Sequence, residues 1–385
     1  MTTVPSTAKT TAFYQLLYQT PALDNRDNRG KKHSTALILT GLTCALCCGR
    51  DGSLSRLHRH MVHHFSLLCQ ATASTQPKAI SRAQLPLVLA KVNIGLFASL
   101  LFDWFGIDLP ALKGTWLAVD GKDLRGSIGS GQTRGEACVS VVVQTSEAVV
   151  GQAYYSGQKE SEKLAVRQLL ADKGLMGQRL SLDALHLNPL TINAIHKASG
   201  HYLVGVKANQ AVLHRYCICR CLLDTPTYEA TSDWERGHGR LEQRQYQCFS
   251  LDKAVFAPRW RAAGFQTLIY IRRSRQALVG GPVTEESSYY LSNALVLEPS
   301  DGAELCGAIR GHWRVETMHY RRDVVLSEDG LRTKRSAVSR LLSSLRTLTI
   351  NLLHRLKPKN MAAQLDDFAD NVSSLLQFMK VEAVL

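Results

Sequence analysis

Three acids stand at the edges of apolar stretches that lie far apart in the chain. Asp120 follows Trp116–Leu117–Ala118–Val119 and precedes Gly121 and Lys122. Asp183 follows Leu180–Ser181–Leu182, and Glu316 lies in a segment of helical pattern beside Arg310, His312, Trp313 and Arg314. An Asp at the tip of a buried strand is a charge held rigidly at the mouth of a sheet. A strand followed by an Asp-Gly turn accounts for Asp120 taken alone. The three together suit a metal site assembled by a fold, because hard divalent cations take oxygen ligands from a few carboxylates and leave room for water and phosphate.

Two other spacings carry less. Cys44-x2-Cys47-x12-His60-x3-His64 has the spacing of a two-Cys, two-His zinc finger, with Leu57 at the usual leucine position. Asp51, however, stands where such a finger needs an aromatic, and both cysteines fall in a helically periodic apolar run rather than a hairpin knuckle. Gly126-x4-Gly131-Gln132-Thr133 has the glycines of a phosphate-binding loop, but Gln132 replaces the lysine and a strand follows where a helix is required. A flexible hairpin connection is expected there instead.

The 385 residues suffice for two or three domains, and the hydrophobic fraction of 45% is that of a globular protein. The net charge of +14 and pI of about 9.4 favour a polyanionic partner, nucleic acid or an anionic membrane surface. The longest apolar runs, Thr35–Cys48 and Asn93–Leu101, fall short of the ~20 residues that span a bilayer, and Met1–Thr20 lacks the pattern of a secretion signal. Cys44, Cys47, Cys48, Cys69 and Cys138 sit in apolar stretches, as reduced thiols do, which fits a cytoplasmic protein.

The elements that must position the acids follow from periodicity. Residues 1–20 read as polar and poorly ordered. Helices are expected over Ala36–Cys48, Leu54–Leu68, Ala83–Ala90 and Ile94–Trp104, making an N-terminal helical domain over 1–112. Three neighbouring strands come next, from Trp116, over Ala137–Gln144 and over Ala148–Tyr155. A helix (Glu160–Lys173), a strand (Gln178–Leu185), a helix (Leu190–Ser199) and a strand (Tyr202–Lys207) complete the series. This order predicts an α/β fold, an RNase H-like mixed sheet flanked by helices over 113–356, with the first and fourth strands side by side so that Asp120 and Asp183 share one ion. Residues 210–300 read as a β-rich insertion with a helix at Ala211–Leu223 and strands at Arg244–Ser250, Thr267–Arg273 and Ser288–Ser292. Helices at Ala303–Val325 and Arg332–Leu356 follow, then a helical tail over 357–385. Between Leu331 and Asn360 there are eight Lys or Arg and no acid, a composition that leans towards phosphate contact.

Six blocks, in order, resemble the H-repeat-associated (ISAs-type) insertion-sequence transposases. They are Val119–Ser127, Leu182–Leu185, Tyr202–Gln210, Gly237–Arg244, Tyr289–Ser292 and Ile309–Glu316. The stretch before them is similar to that family's associated helical domain. The resemblance implies an RNase H-like DDE transposase with a β-strand insertion ahead of the glutamate, and Asp120, Asp183 and Glu316 as its catalytic, metal-binding carboxylates. It implies Mg²⁺, two ions about 3.5–4 Å apart with Mn²⁺ as a substitute, for in-line displacement at phosphorus. Water would first release a 3′-hydroxyl at the end of the element, and that hydroxyl would then join target DNA. The implied partners are duplex DNA, as terminal inverted repeats and target, and a second copy pairing the ends, in the bacterial cytoplasm at the nucleoid. Lys207, Asn209, Arg240, Arg244, Arg310, His312 and Arg314 would contact phosphates or DNA ends; the ordinary alternative for each is to close a strand or pair with a local acid. The chain departs from the family pattern at Asp123, Leu187–Asn188 and Thr317. The Tyr, Arg and Lys that frame the glutamate in the wider group are Ile309, His312 and Asp323 here. A metal-dependent nuclease on the same fold and a catalytically silent DNA-binding derivative remain as alternatives.

Overall fold

The computed structural model describes residues 11–106, 108, 110–237, 239–251 and 256–385. Its first element is unexpected from so polar a terminus. Phe13, Tyr14 and Leu17 are buried on α1 (Phe13–Tyr18), whose Phe13 and Tyr14 amides donate to Ala383 and Val384 carbonyls at 2.8 and 2.9 Å. Helix α2 (Thr35–Cys47) is capped by Ser34 and buried on all sides, as its uninterrupted apolar run requires. The single helix expected from Leu54 to Leu68 is two, α3 (Leu54–His63) and α4 (Phe65–Thr72), because His64 leaves helical geometry. The break lets both helices close on α2, where a Cβ at Gly41 would lie 2.6 Å from Met61 and 3.0 Å from Leu68. Helices α5 (Leu85–Leu89, with Pro86 in its first turn) and α6 (Ile94–Phe105, ended by left-handed Gly106) complete this layer.

One ten-stranded mixed sheet follows, most of its pairings antiparallel. Its strands are β1 (Trp116–Asp123), β2 (Ala137–Val143) and β3 (Val149–Tyr155), then β4 (Arg179–Leu182) after α7 (Lys159–Asp172), and β5 (His201–Val206) after α8 (Pro189–Lys197). Helix α9 (Ala211–Leu223) leads to β6 (Tyr228–Thr231), β7 (Glu235–Gly237), β8 (Arg240–Ser250), β9 (Thr267–Ala277) and β10 (Thr284–Ser292). The order is β3-β2-β1-β4-β5-β10-β9-β8-β6, with β7 on β8. As expected, the first and fourth strands are neighbours, β1 and β4 running parallel. The β-rich insertion adds its strands to the same sheet, β10 pairing with β5.

Helix α10 (Pro299–Tyr320) runs on through a π-helical turn at Arg321–Val325, and α11 (Ser336–Leu356), α12 (Met361–Asp370) and α13 (Val372–Val381) end the chain. The expected terminal helix is interrupted at Asn371, which caps α13. Val139, Val141, Leu180 and Val204 on one face of the sheet pack with Val166, Leu170 and Ile192 of α7 and α8. Ala118 and Val142 on the other face join one core with α11, the helices before the sheet and the helices after it. Asn351 of α11 exchanges two 2.9 Å hydrogen bonds with the backbone of Val149 on edge strand β3. That placement corrects the phosphate reading of the basic run for three of its members. Arg346 is 1% exposed and donates to the Leu326 carbonyl at 2.9 Å, Arg340 holds Glu136 at 2.5 Å, and Arg355 holds Glu382 at 3.0 Å.

Leu345 is fully buried at the centre of α11. Leu345→Ala is expected to destabilise the protein by about 2–5 kcal/mol through lost burial and a residual cavity, read as a lower midpoint of urea unfolding.

Candidate active site at the ends of β1 and β4

The parallel register pairs Val119 with Leu182, so the next residues, Asp120 and Asp183, emerge side by side. The sequence suggested that β1 stops at Asp120 in a turn. It instead continues to Asp123, pairing Gly121 with Val139 of β2. Gly121 is needed for close approach: a Cβ there would lie 2.6 Å from the Glu162 carboxylate and 2.9 Å from the Tyr155 hydroxyl. Tyr155 donates to Glu162 at 2.8 Å, and Nε2 of fully buried His186 lies 3.3 Å from the other Glu162 oxygen. One partly covered carboxylate thus sits beneath both acid-bearing segments.

Asp183 opens a tight turn, and the exposed Lys207 at the end of β5 donates to it at 3.2 Å. Burial works to raise this carboxyl, but the Ala184 amide and Lys207 hold it below the usual range. Glu316 arrives from α10. Burial, then the charges of Asp120 and Asp183, push its carboxyl up, against Lys207. The three acids therefore feel one another across the ends of three elements. Among the described residues, no three His, Cys, Asp or Glu side chains are drawn together tightly enough to hold an ion as they stand.

Helix α10 supplies more than Glu316. His312, one turn earlier, meets the Ser181 hydroxyl through Nδ1 at 2.9 Å; burial lowers its pKa while Asp120 and Asp183 oppose that shift. His312, expected among the DNA contacts, thus faces the acids and strand β4. His319, missed in the sequence, places Nδ1 3.5 Å from Asp120. The readable signal was the spacing of His312, Glu316 and His319 at i, i+4 and i+7, one helix face. Trp313 and Tyr320, 53% and 62% exposed, stand about a turn to either side of Glu316.

The expected DNA-contacting arginines are engaged internally. Arg310 grips Glu235 of β7 through two bonds of 2.5 and 2.6 Å, which raises its pKa. Arg314 pairs with Glu147, Arg244 with Glu242 and Glu235, and Arg240 with Glu242 at 3.6 Å. Asn209 is exposed in the turn after Lys207, and His238 lies outside the described residues. The glycine loop is anchored at its start, the Gly126 carbonyl accepting from the Thr333 amide at 2.9 Å. Cys44 and Cys47 lie on α2, where burial pushes both thiols up, and the His60 and His64 rings lie 4.5 Å apart, tilted by 55° to each other.

Behind the acids lies a charge network the sequence did not disclose. Lys122, on the same face of β1 as Asp120, reaches Asp323 at 2.7 Å, Asp329 at 3.3 Å and Glu328 at 3.6 Å. Fully buried Arg322 in the π-turn holds Glu328 at 2.6 Å. The network ties the strand carrying Asp120 to the segment that follows the helix carrying Glu316.

The chain matches no family model. It is 30% identical over 246 residues to the putative protein YbfL and 29% identical over 246 residues to the H repeat-associated putative transposase YhhI, both of Escherichia coli (strain K12). Each match covers 62% of this chain and spans 63% of the relative's length. It is also 26% identical over 276 residues to the putative transposase YncI of Escherichia coli O157:H7, with 70% of each covered.

Glu328 makes the network measurable. Burial opposes its charge, yet Arg322, Arg346 and Lys122 lower its pKa to about 2. A depressed carboxylate contributes its stability above its unfolded pKa, ~4.3, and loses it as pH falls through the folded value. Glu328→Gln is expected to cost roughly 3–5 kcal/mol near neutrality by stranding buried cations. It should also flatten the fall in stability between about pH 4.3 and 2. Urea unfolding of both proteins across that range checks the sign.

Proposed function

Because the chain is related to the H repeat-associated putative transposases, we propose that it is a DDE transposase on an RNase H-like sheet, cleaving and joining DNA at the ends of an insertion sequence. The observation that supports this most is the parallel register that sets Asp120 beside Asp183, with Glu316 of α10 close enough for their charges to raise its carboxyl. A carboxylate pushed up by burial and by two other acids, with Lys207 as the neighbouring cation, is a donor set suited to hard divalent ions. Asp120, Asp183 and Glu316 would hold them after a modest approach. Mg²⁺, or Mn²⁺ in its place, supplies charge neutralisation and Lewis acidity at a phosphodiester when bound there.

The chain's own groups do the rest. His319 orients the Asp120 carboxylate through Nδ1, and His312 braces β4 through Ser181. Lys207 is exposed and can leave Asp183 for a phosphate oxygen. Arg310 holds an exposed carboxylate, Glu235, a bond of the kind a phosphate can displace at little cost, whereas Arg314 holds the largely covered Glu147. Trp313 and Tyr320 offer flat faces to bases beside Glu316, each stack worth about 1–3 kcal/mol. DNA ends brought together require two copies, and a DNA substrate puts the work in the cytoplasm at the nucleoid.

Asp120→Asn, Asp183→Asn and Glu316→Gln are each expected to lower Mg²⁺-dependent strand cleavage roughly a thousandfold, about 4 kcal/mol of transition-state stabilisation, while DNA binding stays within a few-fold. Denaturing gels of end-labelled duplex, alongside band shifts, separate the two effects. Cleavage surviving in all three variants defeats the assignment. Nicking without end joining by the unaltered protein identifies a nuclease instead.

A further inference from the structure

We infer that the exposed face of α3, built on Arg56, Arg59 and His63, is a docking surface for the phosphate backbone of duplex DNA. It is separate from the ends of β1 and β4. Between Asn28 and Phe102 the chain holds nine Lys or Arg and a single acid, Asp51; with Arg26, Asp24, Asp27 and Asp103 counted, residues 11–106 carry +6 of the net +14. Asp51 is 5% exposed; its carbonyl accepts from Arg346, and its buried carboxyl feels both Arg346 and Arg56 without reaching the surface. Eight of the nine cations are exposed, Lys31 alone being partly covered.

Helix α3 concentrates that charge. Leu57 and Met61 point into the core, while Arg56, Arg59 and His63 are exposed at spacings of three and four, on one face. Among the described residues no carboxylate forms a salt bridge with Arg56 or Arg59, the buried Asp51 carboxyl acting on Arg56 only from a distance. The contrast with Arg240, Arg244, Arg310 and Arg314 is direct, since each of those already holds a glutamate. Counterion release needs cations that no protein acid has neutralised, and α3 presents them.

The same face fits a duplex better than a lipid surface. An interfacial helix lays an apolar face into the membrane, but the apolar face of α3 is spent on α2, leaving Val62 as its one exposed aliphatic side chain. Ten residues make a rod about 15 Å long, which a major groove about 12 Å wide admits.

The inference rests on the DNA-processing reading above. Its test uses the full chain, the double variant R56Q/R59Q, and a fluorescent duplex of random sequence titrated at several salt concentrations. Two lost phosphate contacts should weaken binding about tenfold or more at low salt and reduce the slope of log affinity against log salt by about 2. The melting temperature should hold, as should cleavage at saturating DNA. Unchanged affinity and slope in the variant overturn the inference while leaving the proposed function standing. Loss of binding to phosphatidylserine vesicles without loss on DNA overturns it as well. An unaltered protein that binds no duplex at any salt defeats both.

Discussion

The parallel pairing of β1 with β4 is the constraint on which the candidate site depends. It turns a separation of sixty-odd residues into adjacency, because Val119 opposite Leu182 leaves no other place for Asp120 and Asp183. A one-residue slip would turn one of the two acids to the opposite face of the sheet. The register is specified by burial on both sides: Leu117, Val119, Leu180 and Leu182 face one core, and Ala118 the other. The helices beneath and above the sheet thereby set the separation of two carboxylates.

Like charges held close are unfavourable, and the surrounding structure shows how that is tolerated. Lys207 and the Ala184 amide favour the charge on Asp183, so the unfavourable term falls on Glu316, the member carried by a separate helix. Two buried polar assemblies lie beneath. Glu162, between Tyr155 and His186, supports the segments after both strand acids. Lys122, among Asp323, Glu328 and Asp329, locks β1 to the π-turn after α10. Buried ion pairs of this kind add little net stability, since desolvation offsets their attraction. Their contribution here is positional. The π-turn is part of it, because widening the helix at Arg321–Val325 brings Asp323 and Arg322 to bear on the strand and on Glu328.

Much of the sheet was legible because its signals are local. β-Branched runs became β2 and β3, and the strand-helix alternation from Glu160 to Lys207 marked the parallel centre. The adjacency of the first and fourth strands followed from that order. What escaped depended on partners distant in sequence. His64 splits one periodic stretch because α3 and α4 must both reach Gly41, a contact no local pattern records. Gly121 looked like a turn residue and is instead a place where Glu162 presses on a strand. The first described residues looked too polar to order, yet Phe13 and Tyr14 are fastened to the far end of the chain. His319 could have been found from helical spacing; the acids around Lys122 could not, since their order along the chain says nothing of the π-turn that gathers them.

Basic residues were the least legible of all, for a reason that bears on function. Composition reports how many cations a segment has, and only packing reports whether they are neutralised. The run after Leu331 has no acid of its own, yet Arg340, Arg346 and Arg355 are consumed by Glu136, backbone carbonyls and Glu382 brought from elsewhere. Arginines near the acids are likewise held by Glu235, Glu242 and Glu147. Among the described residues, Arg56 and Arg59 of α3 form no such salt bridge. The two regions therefore differ in kind: the α3 face carries charge that no salt bridge neutralises, which acts over distance, while the arginines beside Asp120, Asp183 and Glu316 are bound to glutamates, of which Glu235 is the exposed one and its pairing the weakest held.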